Sequence, residues 1–193
     1  MMKPLDKNYL SLQFKIKIHS KNGTEFQSFF ENIMEKAFLD FQKIRPYGNI
    51  GDGGNDGYRK ALGIYYQVYA PNEPKIKEAD AAKKLKKNFQ RLKDEWDEIA
   101  SVKEYNFVFN DKYLGSIQLL ESAMTDLKAN NPGIAFKPFL AKDLENVFFQ
   151  LSEEDMLSLD FNIDQRQAIK NGYYSAKQRV LTKVLRSSKH CEL

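Results

Sequence analysis

The chemistry-bearing residues concentrate between Arg45 and Pro71, where RPYGNIGDGGNDGYRKALGIYYQVYAP holds six of the chain's ten glycines, Asp52 and Asp56. Glycines at this density mark backbone that takes positive φ or passes close to another group. The run from Ile64 to Ala70 that follows has the β-branched and aromatic make-up of a short buried strand, with a polar Gln67 at its middle. Three familiar chemistries of such a loop can be tested on spacing. A phosphate-cradling loop needs GxxxxGK[ST], which does not occur. A dinucleotide fingerprint needs GxGxxG opening a helix, whereas Gly51-Asp52-Gly53-Gly54-Asn55-Asp56 has a glycine one place early and leads to a strand. A calcium loop starting at Asp52 would put Asp56 and Gly57 correctly, but its closing glutamate position is Gly63.

A fourth pattern remains. Gly23-Thr24-Glu25-Phe26-Gln27, then Gly51-Asp52-Gly53-Gly54-Asn55-Asp56, then Gln67-Val68-Tyr69 resembles the G-x-x-F-E, G-D-x-G-x-D and Q-x-K series of the PD-(D/E)XK nuclease superfamily, in its Mrr-like restriction-endonuclease branch. The resemblance runs from Gly23 to Phe109, about half the chain. It implies a mixed central sheet flanked by helices and a Mg²⁺- or Mn²⁺-dependent DNA endonuclease, in a bacterial restriction or antiphage setting. Phosphodiester hydrolysis uses a hard divalent cation to neutralise the phosphate and activate a water. Magnesium favours one or two carboxylates with further oxygen ligands and keeps several waters. Asp56 at a hairpin and Gln67 on the adjoining strand would place two oxygens on one ion, with Gln27 or Glu31 completing the shell. A residue two places beyond Gln67 shares its face of the strand.

Two positions depart from the motif. Tyr69 stands where the branch has its lysine, and Gln27 where it has its glutamate. Glu31 follows Gln27 by one helical turn and can replace the lost carboxylate; Lys75 or Lys77 can supply an ammonium, and Tyr69 can orient water or phosphate. Two readings follow. The first is an active endonuclease with Asp56, Gln67, Tyr69, Gln27 and Glu31 as catalytic residues and Asp56, Gln67 and Glu31 on the metal. The second is a catalytically silent nuclease-fold module that binds nucleic acid or a protein partner.

The elements that would position these residues follow from periodicity. Apolar residues at 10, 12, 14, 16 and 18 read as a strand. Thr24 is placed to cap a helix over Glu25 to Phe41, whose phenylalanines form a wide apolar stripe. Lys43 to Tyr47 reads as a link or short strand. Lys75 to Ile99 is the longest helical signal, with a seam of Ala82, Leu85, Phe89, Leu92, Trp96 and Ile99. Its first half carries Lys83, Lys84, Lys86 and Lys87, and its second half is acidic. With Arg59 and Lys60, these lysines are the candidate phosphate track, against the plain alternative of a solvated face. Tyr105 to Phe109 reads as a buried strand, Ile117 to Leu127 as a helix, Ile134 to Phe136 as a strand, and Asp143 to Leu151 and Ser152 to Leu159 as short helices. Asp143 to Asp164 is acidic and should face away from nucleic acid. Arg166 to Lys189 is basic and amphipathic, a pattern that can lie on a membrane or dock a partner, and reads as a second nucleic-acid contact against the plain alternative of solubility.

The expected whole is an α/β domain: an N-terminal segment over 1–22, a nuclease-like core over 23–140, and a helical C-terminal appendage over 141–193 within the same domain. The 193 residues, 42% hydrophobic and 29% charged, suit one soluble domain with a net charge of +4. No secretory signal or membrane-length apolar run is evident, so a cytoplasmic setting is expected, with DNA as partner and a homodimer or larger defence complex as assembly. Two histidines and the single Cys191 support neither a zinc cluster nor a Ser-His-Asp or Cys-His site; His19 reads as a surface or packing residue.

Overall fold

The computed structural model describes residues 4–45, 53–71 and 78–162. In chain order its elements are α1 (Pro4–Ser20), α2 (Gly23–Ala37), β1 (Phe41–Lys43), β2 (Gly57–Arg59), a 3₁₀ turn (Lys60–Leu62), β3 (Ile64–Tyr69), α3 (Glu78–Trp96), β4 (Glu104–Phe109), α4 (Gln118–Asn130), β5 (Ala135–Phe139), α5 (Ala141–Phe148) and α6 (Glu153–Ser158). Five strands form one sheet in the order β1-β2-β3-β4-β5. β1, β2 and β3 are an antiparallel meander, whereas β3, β4 and β5 run parallel. Parallel neighbours need a crossover, which α3 and α4 supply. The fold is α/β, a mixed central sheet flanked by helices.

Strand alternation assigns the two faces of the sheet. Tyr58, Tyr65, Tyr105, Phe107 and Phe109 join Leu85, Phe89 and Leu92 of α3 and Leu120, Ala123 and Met124 of α4 in one buried cluster, with Tyr69 and Trp96 packed against it. The other face carries Tyr66, whose ring lies 5.8 Å from Phe30 of α2 and 6.1 Å from Phe139. Behind α2, Phe14 of α1 packs against Phe29 and against Phe148 of α5. The central strands are covered on both sides, so β3 and β4 read as nearly continuous apolar runs.

Residues 14–152 make one compact unit; the described residues 4–13 and 153–162 belong to a second. In that second unit the Gln13 side chain donates to the Asn162 carbonyl at 2.8 Å and accepts from its N–H at 3.0 Å.

Three expectations need correction. Leu10 to Ile18 is helical, not a strand: Leu10, Phe14 and Ile18 are buried at i, i+4 and i+8, whereas Leu12 and Ile16 are 56% and 59% exposed. A run of five apolar residues at alternate positions satisfies both periods, and the helical face won. The helix expected through Phe41 stops at Ala37, because Phe38 is already extended and Phe41 pairs with Arg59 in β1. Thr24 does not cap it; Asn22 occupies the N-cap without a side-chain bond. The lysines at 75 and 77, Asp52 and the basic segment Arg166 to Lys189 lie outside the described residues.

The glycine-rich loop docks on α3. Gly54 has φ +78, and a Cβ there would run into the backbone carbonyl of Asn88. Gly115 has φ +92 but open space around it. Gly115→Ala should therefore cost only the left-handed backbone penalty, ~1 kcal/mol, whereas Gly54→Ala adds a clash with helix backbone and should cost about 2–4 kcal/mol. Urea unfolding of the two variants beside the native protein measures the difference.

Candidate functional site

Extending the β2–β3 register one place beyond Gly57 and Tyr66 sets Asp56 opposite Gln67. The backbone holds that pairing: Asp56 N–H donates to the Tyr66 carbonyl at 2.9 Å, and Ile44 N–H donates to the Asp56 carbonyl at 3.0 Å. Directly opposed residues of an antiparallel pair share a face. Asp56 and Gln67 accordingly meet side chain to side chain on the α3 side, 3% and 4% exposed. Asp56 Oδ2 accepts from Gln67 Nε2 and, at 2.6 Å, from the backbone N–H of Val68. A buried carboxylate needs such donors, because leaving the charge unsolvated is costly.

The two Asp56 donors decide how Gln67 is oriented. With the carboxylate ahead of it, the amide must present N–H₂, since two facing oxygens would repel. Gln67 Oε1 then points elsewhere, buried and without a hydrogen-bond partner, as are both polar atoms of the fully buried Asn55 side chain. Sequence reasoning passed over Asn55; only its place in the loop, next to Asp56, signalled it.

Gln27 and Glu31 belong to the opposite side of the sheet. They bond each other, Gln27 Nε2 donating to Glu31 Oε1 at 2.9 Å, one turn apart on α2. Burial raises the Glu31 pKa above the usual carboxylate range, against the lowering effects of the Gln27 bond and of Lys43. Glu31 thus has its hydrogen-bond partner on α2, with the charge of Lys43, itself paired with Glu35, nearby on β1.

Tyr69 does share the Gln67 face, but it is built into the core. Its ring stacks at 5.7 Å on Phe107 and at 6.0 Å on Phe109. Lys84 of α3 holds its ammonium 5.5 Å from the same ring. The sequence marked Lys84 only as a phosphate contact; the seam of α3 turns it towards β3. At the carboxyl end of β3, Tyr69, Lys84 and Gln27 line one cavity of about 220 Å³, together with Gly23, Thr24, Val68, Ala70 and Pro71. Asp56 and Gln67 are not among its walls. The motif residues are therefore divided between a buried Asp56–Gln67 pair and an open Gln27–Tyr69–Lys84 cavity.

A divalent ion of the magnesium type keeps several waters and needs near-octahedral oxygens. The Asp56–Gln67 pair offers one carboxylate whose Oδ2 already takes two N–H donors, an amide turned donor-first, and almost no solvent access. Among the described residues, no three side chains of Asp, Glu, His or Cys gather where they could hold a metal ion. This donor set does not fit the ion that the nuclease resemblance implies.

Comparison with protein-family models, curated proteins and solved structures finds no match for this chain. What it does must be read from its own surface.

The basic residues separate into groups. Lys83, Lys84, Lys87 and Arg91 lie on one face of α3 around a groove of about 390 Å³, with Asn88 and the single acid Asp80. Lys86 turns away to pair with Asp126 of α4 at 2.8 Å. Arg59 is engaged by Asp40 at 2.8 Å and lies 4.3 Å from the Phe38 ring centre, which leaves it a packing role. Lys60 is exposed on the 3₁₀ turn. No helix of the described residues is long and apolar enough to cross a membrane.

Asp56→Ala removes an acceptor from two buried N–H groups and should lower stability by about 2–4 kcal/mol. Asp56→Asn keeps one acceptor oxygen and should cost roughly half of that. Chemical denaturation of both variants measures the order.

Proposed function

We propose that the chain is a nuclease-type α/β module with a silent catalytic position, which binds nucleic acid through the basic face of α3 in a cytoplasmic setting. One observation carries the reading: Lys83, Lys84 and Lys87 share a groove whose lining holds one acid, Asp80, and which Arg91, paired with Glu95 at 3.3 Å, closes at its far end. The three lysines are exposed, and a row of cations along one helix face follows a phosphate backbone. Support for the silent position comes from Asp56, Gln67 and Tyr69, each engaged inside the fold, and from the separation of Glu31 from them. The mixed sheet with its β2–β3 hairpin agrees with the resemblance to the PD-(D/E)XK superfamily but is common to other α/β folds.

Three or four phosphate contacts give a slope of log affinity against log salt of about −3. Fluorescence anisotropy with a labelled oligonucleotide from 50 to 300 mM salt should show it, and replacing Lys83, Lys84 and Lys87 together by Ala should flatten it to about −1. Binding that ignores salt would remove nucleic acid as the partner. Incubation with plasmid DNA and Mn²⁺ tests the silent position separately: no cleavage is expected. Cleavage abolished by Asp56→Asn would restore the active metal-dependent endonuclease.

A further inference from the structure

We propose that the cavity at the carboxyl end of β3 receives one unpaired nucleotide of a strand whose phosphates run along α3, so that the protein prefers single-stranded ends to continuous duplex. The inference rests on the reading of α3 as a phosphate-binding face and adds the structure of the ligand to it.

Lys84 lines both the α3 groove and the β3 cavity, which therefore adjoin at its side chain. From Lys84 to Arg91 the helix advances about 10 Å, the length of roughly three nucleotides of a stacked strand. A strand laid along this track reaches the cavity mouth at Lys84. In a continuous duplex the bases are stacked inside and show only their edges in the grooves. A hollow beside a phosphate track can then be filled only by a base that has left the stack.

The cavity has the size and walls for one base. Its volume of about 220 Å³ is below the ~300–1,000 Å³ of sites that take larger organic ligands. Val68, Ala70, Pro71 and the Tyr69 ring give it an apolar side, and Thr24 and Gln27 give it polar groups. An unstacked base needs that combination, an apolar or aromatic surface for its face and hydrogen-bonding groups for its edge. Glu31 fixes the Gln27 amide by accepting from Nε2, which leaves Oε1 to accept from an exocyclic amino group. A phosphate alone would call for more than the one cation, Lys84, found among these walls.

The test is anisotropy at one low salt concentration with three labelled ligands: a blunt duplex, the same duplex with a short overhang, and the overhang strand alone. The overhang and single-stranded ligands should bind about tenfold more tightly than the blunt duplex, the order of one base-stacking contact. Gln27→Ala and, on an exposed position, Thr24→Val should each narrow that preference, while Lys87→Ala should weaken all three ligands alike. Equal affinity for blunt and overhang ligands, or a preference untouched by both cavity variants in folded protein, overturns the inference and leaves phosphate binding by α3 standing. Failure of all three ligands to bind overturns both.

Discussion

One buried carboxylate ties the glycine-rich loop to the strands beside it. Asp56 lies at the junction of the glycine-rich loop and the β2–β3 hairpin, buried, with its charge met by the Gln67 amide and the Val68 N–H. The bond to Val68 ties the loop to backbone that also belongs to the β3–β4 ladder. The loop can then lie flat on α3, where Gly54 meets the Asn88 carbonyl too closely for any side chain. α3, with its basic groove, is seated on the sheet by Leu85, Phe89 and Leu92, and the buried polar contact fixes the loop beside it. Asp56 Oδ2 is met by two donors, whereas Gln67 Oε1 and the Asn55 amide beside it lie buried without partners, so the patch is only partly satisfied.

The same arrangement separates chemistry that the motif spacing would join. A catalytic metal shell needs Asp56, an oxygen from β3 and a third ligand around one wet point. Here alternation along β3 sends Gln67 to the α3 side and leaves α2, with Gln27 and Glu31, over the Tyr66 and Val68 side. What converges instead, at the strand's end, is Gln27 with Tyr69 and Lys84. The carboxyl ends of parallel strands are where open α/β sheets bind ligands, and this cavity occupies that position.

Much of the fold was legible because single elements carried unambiguous patterns. β3 and β4 are short, apolar and β-branched or aromatic, as doubly covered strands must be. The α3 seam alternates steps of three and four over its whole length. Leu10 to Ile18 was not legible, since five alternate apolar residues fit a strand face and also contain the helical set Leu10, Phe14 and Ile18. Phe41 continued the phenylalanine stripe of α2 on paper, but it belongs to β1, where its ring rests against the bare Cα of Gly57. At the site, the meeting of Asp56 and Gln67 followed from hairpin spacing. The donor role of Gln67 did not, because which end of an amide faces a carboxylate is decided by what else surrounds it. Tyr69 was read as a replaced lysine, whereas its stacking on Phe107 and Phe109 depends on β4, which no local pattern places beside it.

The central claim is that the Asp56–Gln67 pair is an internal hydrogen bond rather than half of a metal shell. Magnesium titration followed through the Gln67 side-chain amide and Val68 backbone amide resonances tests it most directly. The account predicts that both signals stay in place up to millimolar Mg²⁺ and that the Val68 N–H remains among the slowly exchanging amides. A saturable Mg²⁺-dependent shift of these signals, lost in Asp56→Asn, would contradict it.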